Sequence, residues 1–303
     1  MALEFIARRA ADGRQPWMLW VGFCGPHPPF DPPRRYAEMY PIDQMPFPAT
    51  FGADMSDKPE WMRRPPLSEI SPEERVRTQR CIAYYYAMMT QIDDMLGRVL
   101  AKLAECGFAD NTIIITTSDH GEMLGDWGRW GKGVFFEQVV RLPTIIYVPE
   151  AWRAGRGQPP TCDAVVETFS LAPTVLDYAG IELPPEMQAP SLRPLLEGRT
   201  TTARGMALTE YVDNRRGRAG ACLITDRYKY CNWGRDSIGE LYDLHEDPGE
   251  RRNLWQDPAC APLRQELADL LIDRLLHSME PPYSSYLRKL PAHVDSPQWG
   301  RHR

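Results

Sequence analysis

No run of apolar residues in this 303-residue chain approaches the ~20 positions that a helix needs to cross a bilayer, which argues against a membrane-spanning protein. Positive charge is also short: 35 Lys and Arg stand against 41 Asp and Glu. A net charge of −6 gives no reason to expect nucleic acid as a partner, because phosphate binding calls for clustered cations. The seven cysteines, at 24, 81, 106, 162, 222, 231 and 260, include no C-x-x-C pair. An odd, unframed set predicts reduced thiols in a cytoplasm-like compartment. The first residues, MALEFIARRAADGRQ, lack the continuous apolar core of a secretory signal and predict the end of an amphipathic helix. No internal repeat is present.

What the chain has in excess is proline. Eleven of its 29 prolines fall between Pro26 and Pro66, a density that helices and central strands do not accept. Residues 26–66 therefore predict a long, stiff loop, and loops of that length in compact domains carry function or are disordered. The apolar run PWMLWVGF (16–23) ahead of it predicts a buried strand.

Beyond the loop, Ser71-Pro72-Glu73-Glu74 combines a capping hydroxyl, a proline in the first turn and acidic residues at the positive end of a helix. Apolar side chains at 82, 86, 89, 92, 96, 99 and 103 continue the helical period as far as Gly107. Strands are predicted at 112–117, at 143–149, the latter buried, and at 163–167, with a helical turn at 134–141 and a helix around 170–180. This alternation implies an α/β sheet covered by helices. After about residue 190 four short strand candidates follow, GMALTEYV, AGACLITD, YKYCNW and GELYDL, then an amphipathic helix at 261–279. The domain reading is accordingly an α/β portion over 1–190 and an antiparallel-sheet subdomain with a tail over 191–303.

Three stretches carry candidate chemistry. In Ser118-Asp119-His120-Gly121-Glu122, a carboxylate and an imidazole stand at the carboxyl end of a predicted strand, where α/β proteins bind ligands. They reach one target only if the strand unwinds there, which Gly121 permits. Such a pair suits a divalent cation; a capping Asp beside a solvated His is the plain alternative. Lys132, between Gly131 and Gly133, offers a compact cation to an oxyanion, or is a surface lysine in a flexible loop. His27, held between Pro26 and Pro28, offers a pre-ordered imidazole for proton transfer, or a hydrogen bond that steadies the proline loop.

The blocks PWMLWVGFCGPHPPFDPP, TIIITTSDHGEMLGDWGRWGKGVFFEQVVRLPTIIYVP, TFSLAPTVLDYAGIELP, SLRPLLEG and YKYCNW…GELYDLHEDPGERRNL, in that order, resemble the type I sulfatases of the alkaline phosphatase superfamily. The His in DHGE is closest to the choline-sulfatase and phosphonate-monoester-hydrolase branches. The resemblance implies an alkaline-phosphatase-like α/β fold: a central mixed sheet with flanking helices, plus a small C-terminal four-stranded antiparallel sheet with a helix. It implies a sulfuric ester hydrolase in which Asp119 and His120 are metal ligands for Ca²⁺, with Mn²⁺ as the alternative. Lys132 would contact the sulfate and bridging oxygens. His27 would hydrogen-bond the sulfuryl group or protonate the leaving alcohol.

The resemblance has one gap. The family converts the Cys or Ser of C/S-x-P-S-R to formylglycine, and Cys24-Gly25-Pro26 matches only three positions before His27 and Pro28 depart from it. Cys24 therefore reads as a small packing residue. With no formylglycine nucleophile in the sequence, the expectation is an N-terminally truncated or split sulfatase. Its partners would be a small-molecule sulfate ester and either an N-terminal sulfatase fragment or a second copy of itself. A catalytically inactive binding protein on the same fold, and a phosphonate or phosphate ester hydrolase, are the alternatives.

Overall fold

The computed structural model of the protein describes residues 1–12, 15–153, 161–184, 187–234 and 238–278. Its helices are α1 (Ala2–Ala11), α2 (Arg34–Ala37), α3 (Pro72–Glu105), α4 (Glu137–Val140), α5 (Leu171–Tyr178), α6 (Arg193–Leu196) and α7 (Ala261–His277). Its strands are β1 (Ile114–Thr117), β2 (Thr144–Tyr147), β3 (Met206–Asp213), β4 (Arg218–Thr225), β5 (Tyr228–Asn232) and β6 (Glu240–Asp243). The helix expected after the proline loop is α3. Ser71 caps it by accepting a hydrogen bond from the Glu74 amide at 3.1 Å, and it ends before Gly107, which turns the chain at φ +71°.

The four C-terminal strands form one antiparallel sheet in the order β3-β4-β5-β6. Side chains alternate across it with period two. Leu223, Tyr230 and Leu241 face α7 and pack on its Leu267 and Leu271. Cys222, Cys231 and Tyr242 face the other way and meet Met123, Trp127, Val134, Phe135, Phe136 and Val139. The loop that carries Lys132 is thus half of the main core. Each such aliphatic or aromatic side chain removed from water contributes roughly 1.5–3 kcal/mol, so the loop is anchored on both sides of the lysine.

The central sheet is reduced to one pair among the described residues. β1 and β2 run antiparallel, with Ile114 opposite Tyr147 and Thr117 opposite Thr144. Three sequence expectations fail here. Residues 16–23 form no strand: Trp17 packs edge-on against Phe5 and Phe108, while Met18 and Trp20 stay 69% and 82% exposed. β2 is not buried, since Ile145 is 67% exposed. Residues 163–167 are irregular. The common reason is that an apolar run states what the backbone prefers to bury, while a ladder partner and a covering layer must come from elsewhere in space. The proline loop is ordered around α2 and three-residue helical turns at 42–44 and 60–62. The tail from Pro281 lies outside the described residues.

Candidate active site

β1 ends at Thr117, and the next five residues turn through a tight set of local hydrogen bonds. Ser118 Oγ donates to the His120 carbonyl at 2.8 Å, and the His120 amide donates to Asp119 Oδ1 at 3.0 Å. The Gly121 amide donates to the Val139 carbonyl at 2.8 Å. A Cβ on Gly121 would stand 1.9 Å from the Gln138 carbonyl oxygen. That position demands glycine because two backbones touch there, and φ is not in the left-handed region. The sequence expectation had the right residue for a different reason.

The chain then leaves and returns. The Glu122 carboxylate accepts from the amides of Leu124, at 3.2 Å, and of Gly131, while the Met123 amide donates to the Gly131 carbonyl at 3.0 Å. Gly131 and Gly133 turn at φ +73° and +94°, conformations that L side chains rarely adopt. This clasp brings Lys132 back over the strand end, where Lys132 Nζ lies 2.5 Å from His120 Nε2. His120 Nδ1 donates to the Gly121 carbonyl at 2.8 Å, which leaves Nε2 of the neutral ring, whenever that form is present, to accept from the ammonium. Asp119 Oδ2 is 3.6 Å from the same nitrogen.

Desolvation works against the Asp119 anion. It is outweighed by His120, the amides of residues 120 and 119, and Lys132, and the carboxyl stays below its ordinary range. An anionic oxygen, an imidazole lone pair and an ammonium therefore share one exposed spot at the end of β1. The oxygen and nitrogen suit one side of a divalent cation's shell. A hard cation such as Ca²⁺ takes six or more donors, and among the described residues no group of three or more His, Cys, Asp or Glu side chains is placed to hold a metal. Asp119 and His120 alone do not make a metal centre.

His27 stands apart from that trio. It is exposed, its Nδ1 bonds the Pro28 carbonyl at 2.6 Å, and its amide donates to the Cys24 carbonyl at 3.2 Å. Among the described residues no hydrogen bond or ion pair joins it to Asp119, His120 or Lys132. Its loop nevertheless seats on the same helix as the clasp. Gly25 approaches Met88 and Ile92 of α3, and Phe30 meets Tyr85 edge-on at 5.9 Å. Gly125 of the clasp approaches Thr78, ten residues or about 15 Å before Met88 along the helix. Tyr85 lies between: burial first, and the Glu122 charge second, raise its hydroxyl pKa. Tyr85 and Glu122 were not singled out from sequence; the helical period shows the face of Tyr85 but not what that face meets. Cys24, expected to pack, is exposed.

The Lys132 loop is fixed at its far end by charge. Lys229 of β5, wholly buried, donates to the Phe135 carbonyl at 2.8 Å and lies 2.6 Å from Glu137 and 2.7 Å from Glu250. Glu250 also accepts from the Glu137 amide at 2.7 Å. The acidic turn after β6, a separate block in the sequence, thereby holds the start of α4.

Strand end, clasp and lysine thus bring Asp119, His120 and Lys132 together at one point. Residues 1–181 match the Sulfatase family model, and residues 125–276 match that of the N-sulphoglucosamine sulphohydrolase C-terminal region. The chain belongs to the sulfatase family. It is 31% identical over 257 residues to an arylsulfatase of Clostridium perfringens, covering 84% of this chain and 52% of that protein. It is 34% identical over 200 residues to an N-acetylglucosamine-6-O-sulfatase of Bacteroides thetaiotaomicron, covering 64% of this chain and 35% of that one. The solved phosphonate monoester hydrolase of Silicibacter pomeroyi superposes with a TM-score of 0.78 at 29% identity, over 92% of this chain and 60% of that one. The chain thus spans about half the length of the curated relatives it matches.

Proposed function

We propose that this chain supplies the anion-stabilising side of a sulfuric ester hydrolase acting on a small-molecule sulfate ester. The observation that carries the reading is the meeting of Lys132, His120 and Asp119 at the end of β1. Attack on sulfur builds charge on the sulfuryl oxygens and on the departing oxygen. An ammonium aimed at that spot neutralises this charge in the transition state, where removing one such donor typically costs about 10²–10³ in rate. Asp119 and His120 are two of the ligands of a divalent metal, Ca²⁺ or alternatively Mn²⁺, whose other donors come from further polypeptide. His27, on the neighbouring loop along α3, delivers the proton to the leaving alcohol.

Ile145 of β2 and Met18 and Trp20 of the 16–23 segment are exposed apolar side chains. They support a covering partner, either an N-terminal sulfatase segment with the nucleophile or a second copy of the chain. The likeness to a phosphonate monoester hydrolase favours a phosphonate ester as the second reading.

The test is turnover of 4-nitrophenyl sulfate and phenylphosphonate monoester by the purified chain with Ca²⁺ or Mn²⁺, for wild type and Lys132→Ala. A faster sulfate reaction that falls 10²–10³-fold in the variant supports the reading. A faster phosphonate reaction selects the second. Equal rates in wild type and variant refute the site. A wild-type chain inert towards both leaves the nucleophile to the covering partner, and the substitution is then read in sulfate binding, where equal affinity of wild type and Lys132→Ala refutes the site.

A further inference from the structure

Behind Lys132 the clasp carries a second cation, Arg129, whose environment the sulfate site does not explain. Its side chain is 9% exposed; one terminal nitrogen donates to the Met62 carbonyl at 2.7 Å, and its Nε has no partner. A buried polar group left unpaired costs about 1–3 kcal/mol. The Arg129 guanidinium lies 5.7 Å from the centre of the Trp61 ring, and Arg218 of β4 lies over the same ring at 4.4 Å. The Arg64 stem passes the clasp at Gly128, where a Cβ would stand 3.3 Å from Arg64 Cβ. Burial, then Arg64, then Arg218 and Arg216, with Glu240 acting in the opposite sense, bring Arg129 down to about 10. It remains a cation at neutral pH.

Two carboxylates offset this cluster only in part. Glu240 is buried and already accepts from Trp233 Nε1 at 2.7 Å and the Tyr242 hydroxyl at 2.8 Å. Asp213 is 3.8 Å from Arg216 and accepts the amides of Arg215 and Arg216 at 3.0 and 3.2 Å. Arg129 and Arg218 share the Trp61 ring with no ion pair to a carboxylate among the described residues, and the two cations repel one another unless an anion joins them.

Arg129 precedes Lys132 by three residues on the same clasp. Tyr211 Oη lies 2.8 Å from where a Cβ on Gly133 would stand, next to Lys132, and the same hydroxyl donates to Asp213 at 3.4 Å. The β3–β4 hairpin from Tyr211 to Arg216 lines an open hollow of about 520 Å³, which Arg216 alone of the four arginines borders.

We propose that Arg129 and Arg218 around Trp61, with Arg64 and Arg216 at the rim, bind a second oxyanion carried by the organic group of the ester, so that the substrate is at least doubly charged. The proposal rests on the sulfate-ester reading of Lys132 and adds the substrate class. Guanidinium forks match the planar or trigonal oxygens of a carboxylate or sulfate. Which of the two it is, the experiment decides.

The full chain, labelled with ¹⁵N at arginine, is titrated with glucuronate and separately with glucose 6-sulfate while the arginine Nε–H signals are followed. Saturable shifts of the Arg129 and Arg218 signals are expected with at least one probe, and the probe that moves them names the substituent. The double variant Arg216→Gln/Arg218→Gln should weaken that binding at least tenfold as read at Arg129, with an unchanged melting temperature. Arg216→Gln alone should weaken it less, which covers the case in which the double variant melts early. Unmoved arginine signals with both probes, or undiminished affinity in both variants, overturns the proposal. Failure of the sulfate-ester reading shows separately, as a sulfate affinity indifferent to Lys132→Ala.

Discussion

Lys229 Nζ lies 2.7 Å from Glu250 Oε1, with both side chains sealed from solvent between the C-terminal sheet and the loop that presents Lys132. An ion pair so enclosed contributes little over a well-packed apolar pair, but removing one partner strands the other. Lys229→Met is expected to lower stability by about 3–5 kcal/mol, because Glu137 and Glu250 both lose their cation. Adding Glu250→Gln should recover part of that loss. Urea unfolding of the single and double variants checks this; a Lys229→Met chain as stable as wild type would show that the loop is held by packing alone.

Glu250 also carries a pH signature. Burial, only partly offset by Lys229, raises its carboxyl to about 7 from an ordinary 4.5. A folded-state value above the unfolded one means that the folded chain holds the proton more tightly. Its contribution is complete below pH 4.5 and is lost as pH rises towards about 7. Glu250→Gln removes that loss. The variant's stability relative to wild type should climb across this window by up to about 3 kcal/mol, measured by urea melts at pH 5, 6 and 7.5. A pH-independent difference would mean that Glu250 is ionised throughout.

Gly121→Ala inserts a Cβ 1.9 Å from the Gln138 carbonyl, a backbone atom that a rotamer change cannot move. The strand end must then separate from the 138–139 segment, breaking the 2.8 Å bond between the Gly121 amide and Val139. A loss of about 1–3 kcal/mol follows from overpacking of this kind, and His120 should shift away from Lys132. Thermal unfolding together with the His120 imidazole NMR signal tests both parts. A variant with unchanged melting and an unchanged signal would contradict the close contact.

Much of this fold is written locally. The Ser71-Pro72 start and Gly107 stop of α3, the four alternating strands after residue 205 and the amphipathic α7 all depend on neighbours in sequence, and all stand where the pattern put them. The trio at Asp119, His120 and Lys132 was legible for a similar reason: strand end, glycines and polar residues lie within the seventeen positions 117–133. Residues 16–23, 144–147 and 163–167 were misjudged because burial of a strand depends on a second layer that periodicity does not specify. Lys229 with Glu250, Tyr85 with Glu122, and the arginines around Trp61 pair residues far apart in the chain. No spacing rule links them.

The most direct measurement is calorimetric titration of inorganic sulfate into the purified chain, with and without Ca²⁺, for wild type, Lys132→Ala and Asp119→Asn. An ammonium paired to the bound anion predicts at least tenfold weaker binding in Lys132→Ala under both conditions. A metal held by Asp119 predicts that Ca²⁺ strengthens sulfate binding in wild type but not in Asp119→Asn. Sulfate affinity unaffected by either substitution would contradict a shared anion and cation site at the end of β1.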